Sequence, residues 1–345
     1  MIKNSFRWMQ AKSPEEAAKE ASSTAAALCF RNPKEQNPDS KAATIIKAAG
    51  IDILDLMKED LLPASCLVNI GNIAALSGIK IAADKSLRLG PLCTLTEIAS
   101  NKDLRQHYTA LTDAASHIAT PNIRNVATLG GNLLQRPRCW YFRSSDFHCS
   151  KKGGDHCFAI EGENKYLSIF GTDVCVAVHP STMAVSLIAL GAELEILTAE
   201  GKTKRILLEE FFVGPDQDVS RENILERNEL ISAIHVPYAN LHSAHFKSGE
   251  KDSFDWSTGD CAVALRLDGR VCKKANIIIG AVAPVPYRAK EAEAFLLGKE
   301  IDENASKHAA ELALKGAKPL SQNSYKIELC KTIVERTIMK AAAHV

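Results

Sequence analysis

The sequence has almost no excess charge of either sign: 42 lysines and arginines stand against 41 aspartates and glutamates. It therefore lacks the basic field that collects nucleic acid or an anionic membrane surface, and neither partner is expected. Long apolar runs are absent as well. No stretch approaches the roughly 20 residues that a membrane helix needs, and the opening MIKNSFRWMQAKSPEEAAKE has no apolar core of the signal-peptide kind. Internal repeats and low-complexity tracts are missing. So are a Ser-His-Asp set, a P-loop and a paired-carboxylate pattern, which leaves hydrolysis and phosphoryl transfer without support. Cysteine is plentiful, with ten in 345 residues. A disulfide framework suits small secreted chains, so in a chain of this length a local cysteine cluster points to metal binding or redox chemistry.

The length suffices for a full core and for two or three domains of roughly 100 to 200 residues. SPEEAAKEASSTAAALCF reads as one helix, with Ser13 and Glu16 as a capping box and Pro14 at its first position. NPKEQNPDSK reads as a loop. ATIIK, AAG and IDILDLMKED then read as strand, turn and helix. CLVNI, KIAA and LRLG are short strands, followed by helices in TLTEIASN and LRQHYTALTDAASHIA, the second stopped by Pro121. Farther on, CVAVHP, AELEIL and KRILL read as strands, with a helix in STMAVSLIALG. The middle of the chain is mixed α/β. A charged stretch from Asp216 to Arg227 suggests a boundary. Beyond it come a strand LISAIHVP, a hairpin turning at Asp268 and Gly269, and three helical segments, which is the α+β order.

Two features carry chemistry. In TLGGNLLQ, Gly130 and Gly131 let a ligand approach the backbone without meeting a Cβ, and free N–H groups there can hold an anion. Gly-Gly also marks any turn that needs positive φ, so the motif alone does not decide between the two. The second feature is a run of thiols: Cys139, nine residues, Cys149, seven residues, Cys157, seventeen residues, Cys175. Thiolates suit zinc or iron–sulfur clusters, and these spacings match neither zinc ribbons nor ferredoxins, so the metal stays open. His148, His156 and His179 lie close enough in sequence to replace one thiol, or to be ordinary polar residues. The other six cysteines read as small buried hydrophobes.

Taken together, AAGIDILDLMK, LRLGPLCTLTEIA, IATPNIRNVATLGGNLLQRPRCWYFR and IIIGAVAPVPYRAKEAEAFLLGK resemble the FAD-binding subunit of the xanthine dehydrogenase family of molybdenum hydroxylases, over nearly the whole chain. The likeness is greatest to the flavin and iron–sulfur subunit of bacterial aldehyde oxidoreductases. The resemblance implies an α+β protein: an FAD-binding PCMH-type domain over residues 1–225, and a CO dehydrogenase flavoprotein C-terminal-like domain over 226–345. The first would divide into α/β subdomains of about 1–60 and 61–225, with an iron–sulfur insertion at about 136–176. It implies FAD held by a first loop of Ile45, Ile46, Lys47, Ala48, Ala49, Gly50, Ile51, Asp52 and Ile53. A second loop comprises Thr120, Gly130, Gly131, Asn132 and Leu133, with Ile231 and Lys247 nearby. Cys139, Cys149, Cys157 and Cys175 would hold a 4Fe-4S cluster.

Molybdenum cofactor and 2Fe-2S clusters would sit on partner subunits of a hetero-oligomeric complex. No residue of this chain takes a catalytic role in the substrate step. The complex would be cytoplasmic, or periplasmic by co-export with a signal-bearing partner. Three departures from the family pattern stand out: Ala49 and Ile51 replace Gly and Thr of the first loop, and Thr182 replaces Asp. They favour a rival reading, a structural subunit without flavin whose cysteine loop binds zinc. A 4-hydroxybenzoyl-CoA reductase-like flavin subunit and a stand-alone flavin oxidase are further alternatives.

Overall fold

The structure is a computed structural model and describes residues 2, 5–30, 43–171, 173–251 and 254–343. The loop expected over Asn32–Lys41 lies outside the described residues. Three sheets follow one another along the chain. The first contains β1 (Arg7–Gln10), β2 (Thr44–Lys47) and β3 (Cys66–Asn69), with β3 in the centre and paired in parallel with both neighbours. All four β3 residues are buried: Cys66, Leu67 and Val68 give the apolar run of a central parallel strand, and Asn69 at its end is hydrogen-bonded to Gln10 and Lys47.

The helix expected between Ser13 and Phe30 is two helices, α1 (Pro14–Glu20) and α2 (Ala25–Cys29). Ser22 and Ser23 donate their backbone N–H groups to Thr44 O at 3.0 and 3.1 Å, which draws the Ser-Ser-Thr stretch out into an extended link beside β2. Thr24 then caps α2 through its hydroxyl. Ser13 caps α1 as expected, but the Glu16 carboxylate reaches the backbone N–H of Lys12 rather than of Ser13. After β2 the chain turns through Gly50, at φ +86°, into α3 (Ile51–Lys58), the strand, turn and helix expected there.

The middle unit holds β4 (Ile79–Ile81), β5 (Leu87–Leu89), α4 (Leu95–Ser100), α5 (Lys102–His107) and α6 (Thr109–Ser116). It continues with α7 (Pro121–Arg124), α8 (Leu129–Leu133), α9 (Thr182–Ala189), β6 (Glu193–Thr198), β7 (Thr203–Leu207) and β8 (Glu229–Val236). The sheet order is β4-β5-β8-β6-β7, antiparallel throughout. Two expectations change here. The helix over LRQHYTALTDAASHIA breaks at Tyr108, whose ring is buried and whose hydroxyl donates to Lys85 O at 2.6 Å; that tertiary contact pulls the backbone out of the helix between α5 and α6. CVAVHP forms no strand: Val176 O accepts from Ser168 N–H, and His179 N–H donates to Ala283 O, which is irregular pairing with two different segments. β8, expected to open the C-terminal unit, instead lies between β5 and β6.

The last sheet, in order β12-β11-β10-β9, is an antiparallel meander of β9 (His242–Ser248), β10 (Gly259–Asp268), β11 (Val271–Gly280) and β12 (Tyr287–Arg288). Helices α10 (Lys290–Leu296), α11 (Glu303–Ala313) and α12 (Tyr325–Ala342) cover one face. Alternation along β10 divides its side chains. Cys261, Val263 and Leu265 join the core under α11 and α12, while Ala262 and Ala264 join the core of the middle unit. Both faces of this sheet are therefore buried, and the small alanines allow α9 to pack closely against it.

Lys326, on α12, is fully buried, and its Nζ donates to the carbonyls of Tyr166, Leu167 and Ala281. Burial pulls its ammonium from 10.5 down to about 8. Below about pH 8 the folded protein carries the full cost of a buried charge. As pH rises from about 8 to 10.5 the folded chain has released a proton that the unfolded chain still holds, so stability rises. Lys326→Met should flatten this rise, read as the urea-unfolding midpoint measured at intervals across that window.

Candidate functional site

The two glycine-bearing loops meet across one cavity of about 510 Å³. The first loop reaches it from β2 through Ala48, Ala49 and Gly50 into α3. The second is the start of α8, where Thr128 accepts the Gly131 N–H at 3.2 Å and so shapes the turn. Its two glycines have different tasks. Gly130 is buried under Pro91: a Cβ there would stand 2.8 Å from Pro91 Cβ and 3.1 Å from its carbonyl oxygen. Gly131 is exposed on the cavity wall, and an added Cβ would meet only Thr128 Oγ1, at 2.9 Å. Gly130 thus packs the loop, and Gly131 leaves the backbone bare toward the cavity.

Among the expected flavin-loop residues, Ile45, Ile46, Ala48, Ala49, Gly50, Ile51, Asp52, Ile53, Gly130, Gly131, Asn132, Ile231 and Lys247 line this cavity, as does Thr182. Lys47, Thr120 and Leu133 do not. Lys47 lies 4.7 Å over the Trp8 ring and donates to Asn69 Oδ1. Thr120 caps α7, where Pro121, expected to stop a helix, instead begins one. Leu133 is buried in the core behind α8. Asn132 is held by Ser181, whose hydroxyl donates to Asn132 Oδ1 at 2.7 Å while capping α9. The far wall includes Phe254, Trp256 and Ser257, which sequence reasoning missed because nothing in their local pattern distinguishes them from a loop.

The thiols come together beside this cavity. Cys139, Cys149 and Cys175 are buried in one core with α3 and β2 side chains, and Cys157 packs against it half-buried. Burial pushes the Cys139 thiol up to about 11, with Cys157 and Cys149 among the neighbours that raise it further. A hydrogen bond from Cys175 is the main influence on Cys157 and pulls it down to about 6, while the same bond and burial push Cys175 up. Among the described residues, however, no three His, Cys, Asp or Glu side chains stand in a ready metal-binding group. The histidines do not supply one. His156 is exposed and paired with Asp155. His179 is buried against Phe212, neither ring nitrogen has a hydrogen-bond partner among the described residues, and burial pulls it down to about 3.

Carboxylates on the cavity wall reach into the cysteine segment. Asp52, in the first turn of α3, accepts the Arg136 backbone N–H at 2.8 Å and the guanidinium groups of Arg138 and Arg143, each at 2.7 Å. Glu222 takes the Arg136 side chain at both oxygens, at 2.9 and 3.0 Å, and Lys151 Nζ at 2.9 Å. Burial alone would raise the Glu222 carboxyl, but the two cations and their hydrogen bonds outweigh it, and the net shift is downward. Arg138 also stacks over Trp256, 4.3 Å from the ring centre. Burial, against the opposing pull of Asp52, brings its guanidinium down to about 10.

The sequence and the fold both have counterparts among known proteins. Residues 4–239 match the family model described as the FAD binding domain in molybdopterin dehydrogenase, and residues 244–342 match the CO dehydrogenase flavoprotein C-terminal domain. The aldehyde oxidoreductase FAD-binding subunit PaoB of Escherichia coli K12 is 31% identical over 300 residues, covering 86% of this chain and 91% of that protein. The xanthine dehydrogenase FAD-binding subunit of Escherichia coli O157:H7 is 28% identical, covering 89% and 90%. In fold, the chain superposes on a structure of quinoline 2-oxidoreductase from Pseudomonas putida 86 with a TM-score of 0.72 at 24% identity, covering 99% of each chain. Among the described residues no helix is long and apolar enough to cross a membrane. With a family model matching more than half of its length, the chain belongs to the FAD-binding subunits of the molybdenum hydroxylase family.

Proposed function

We propose that this chain holds FAD in the cavity between its two glycine-bearing loops and a 4Fe-4S cluster on Cys139, Cys149, Cys157 and Cys175, within an aldehyde oxidoreductase-type complex. The observation that carries this reading is the meeting of both loops on one cavity whose wall is tied directly to the thiol segment. Flavin, when bound, accepts electrons and passes them to an external acceptor. Partner subunits would contribute the molybdenum cofactor and 2Fe-2S clusters. Aldehyde is the favoured substrate class because PaoB is 31% identical over most of both chains.

The residues present fit a dinucleotide. Gly131 and the Ala48-Ala49-Gly50 turn offer backbone where an anionic pyrophosphate needs close approach, and apolar walls from Ile45, Ile231 and Leu230 exclude water from an aromatic ring system. Ala49, Ile51 and Thr182 also face this cavity: Ala49 adds a Cβ, Ile51 lacks the hydroxyl that could bond phosphate, and the cavity stays open. Each bond lost costs about 0.5–1.5 kcal/mol of affinity, a tuning rather than a loss of the site. The thiols fit a soft metal centre by donor type. Burial raises the thiols of Cys139, Cys149 and Cys175, so metal uptake must displace their protons and draw the four sulfurs into a coordinating set. The rival zinc reading uses the same thiols but leaves the open cavity without an occupant.

Protein purified without air, in its native complex, should show flavin bands and a broad iron–sulfur shoulder; a colourless zinc protein would overturn the reading. Cys149→Ser should lower iron per chain while the protein still takes up FAD at saturating concentration, and unchanged iron would remove Cys149 from the ligand set. Gly131→Val puts a branched side chain on the bare cavity wall. Its flavin-to-protein ratio should fall well below that of the unaltered protein, and a normal ratio would refute the placement of the pyrophosphate at this loop.

A further inference from the structure

Asp52 and Glu222 both line the cavity, yet the cations bound to them belong to residues 136–151, the stretch that contains Cys139 and Cys149. Asp52 is the more revealing of the two. It lies two positions after Gly50, whose φ of +86° sets the course of the first loop, so its position follows from that turn. Its carboxylate holds the Arg136 backbone and both the Arg138 and Arg143 guanidinium groups. Arg138 immediately precedes Cys139. Arg143 reaches back to Pro137 O at 2.8 Å, and its own N–H donates to Cys139 O at 2.9 Å, so it braces the turn on which Cys139 sits. One side chain of the dinucleotide loop thus fixes the backbone on both sides of the first thiol.

We propose that Asp52 is a positioning residue that couples the two sites, so that occupation of the thiol site strengthens flavin binding and flavin strengthens metal retention. The inference rests on the function proposed above and adds to it a dependence between the sites. Its physical basis is that the arrangement of α3 that opens the loop to the dinucleotide also presents Asp52 to Arg138 and Arg143. A ligand that stabilises this arrangement at one site lowers the cost of adopting it at the other. Coupling of this kind is reciprocal: the factor by which cluster loading tightens flavin must equal the factor by which flavin tightens the metal.

The test is an FAD titration, by quenching of flavin fluorescence, of the flavin-depleted native complex in iron-loaded and iron-chelated forms, for the unaltered chain and for Asp52→Asn. The unaltered chain should bind FAD about 5- to 150-fold more tightly when iron-loaded, the range typical of coupled sites. Asp52→Asn should bring that ratio to about one, and Asp52→Glu should restore part of it. Arg143→Gln, which removes the brace from the other side, should lower the ratio as well and covers the case in which Asp52→Asn fails to fold. A ratio near one in the unaltered chain overturns the coupling. A lower affinity in Asp52→Asn with the ratio intact also overturns it, since Asp52 would then be only part of the wall. Absence of flavin or of iron from the native complex would instead defeat the underlying reading, and the coupling with it.

Discussion

A carboxylate kept charged inside the protein sets the terms for everything around the site. Glu222 is buried, and an isolated ionised carboxyl in that position would cost several kcal/mol or simply take up a proton. It stays charged because Arg136 grips both of its oxygens and Lys151 adds a third charge-assisted bond. Arg136 in turn donates to Ala25 O at the start of α2 and to Ser220 O in the loop before β8. Three segments far apart in the chain, around Ala25, Arg136 and Ser220–Glu222, therefore meet at one guanidinium. Such a pair is weak evidence for net stability, since apolar residues of equal volume often do as well. Its fork geometry supplies something that apolar packing does not, a fixed orientation for the first residues of the cysteine segment.

The end of that segment is held by different means. Asn164 accepts the Gln322 backbone N–H, and its own N–H donates to the Gln322 side-chain oxygen. Asn323 donates to the carbonyls of Leu167 and Ser168, and Lys326 reaches Tyr166 and Leu167. These partners belong to the link into α12 and to α12 itself, so the C-terminal domain serves as an anchor for the thiol segment. The division of β10 and β11 between two cores ties this anchor to the middle unit. Ile277 and Ile279 pack beneath the C-terminal helices and Ile278 into the middle unit, leaving little freedom for the two domains to slide.

Local signals in the sequence were legible where local chemistry decides. Ser13 and Pro14 start a helix, Gly50 turns the chain into α3, and Asp268 with Gly269 closes the β10–β11 hairpin. Helices were overextended where a tertiary contact wins over propensity, at Ser22–Thr24 beside β2 and at Tyr108 under Lys85. The apolar run CVAVHP looked like a strand because burial and pairing produce the same composition; Cys175, Val176, Ala177 and His179 are buried, but the run is shared between two irregular partners. Both glycine loops could be located from the resemblance, down to most of the residues facing the cavity. The carboxylate network could not. Asp52 lies 84 residues from Arg136 and 91 from Arg143, and Glu222 is 86 from Arg136, separations over which an acidic and a basic residue in a sequence give no sign of meeting.

That network also resolves an electrostatic difficulty created by placing the two proposed cofactors side by side. A dinucleotide carries its negative charge at the pyrophosphate, and thiols that bind metal must give up their protons, so both sites become anionic when filled. In a medium of low dielectric their repulsion would oppose simultaneous occupation. Between them the chain interposes Arg136, Arg138, Arg143 and Lys151 against the carboxylates of Asp52, Asp55 and Glu222, four cations to three anions. Lys152, buried among Cys149, Cys29 and Cys139, adds a further positive charge on the thiol side. The excess is small before any ligand arrives, because the carboxylates balance most of it and keep the empty protein foldable. It would become useful when the sites fill, since the guanidinium groups held by Asp52 and Glu222 would then face new negative charge on either side.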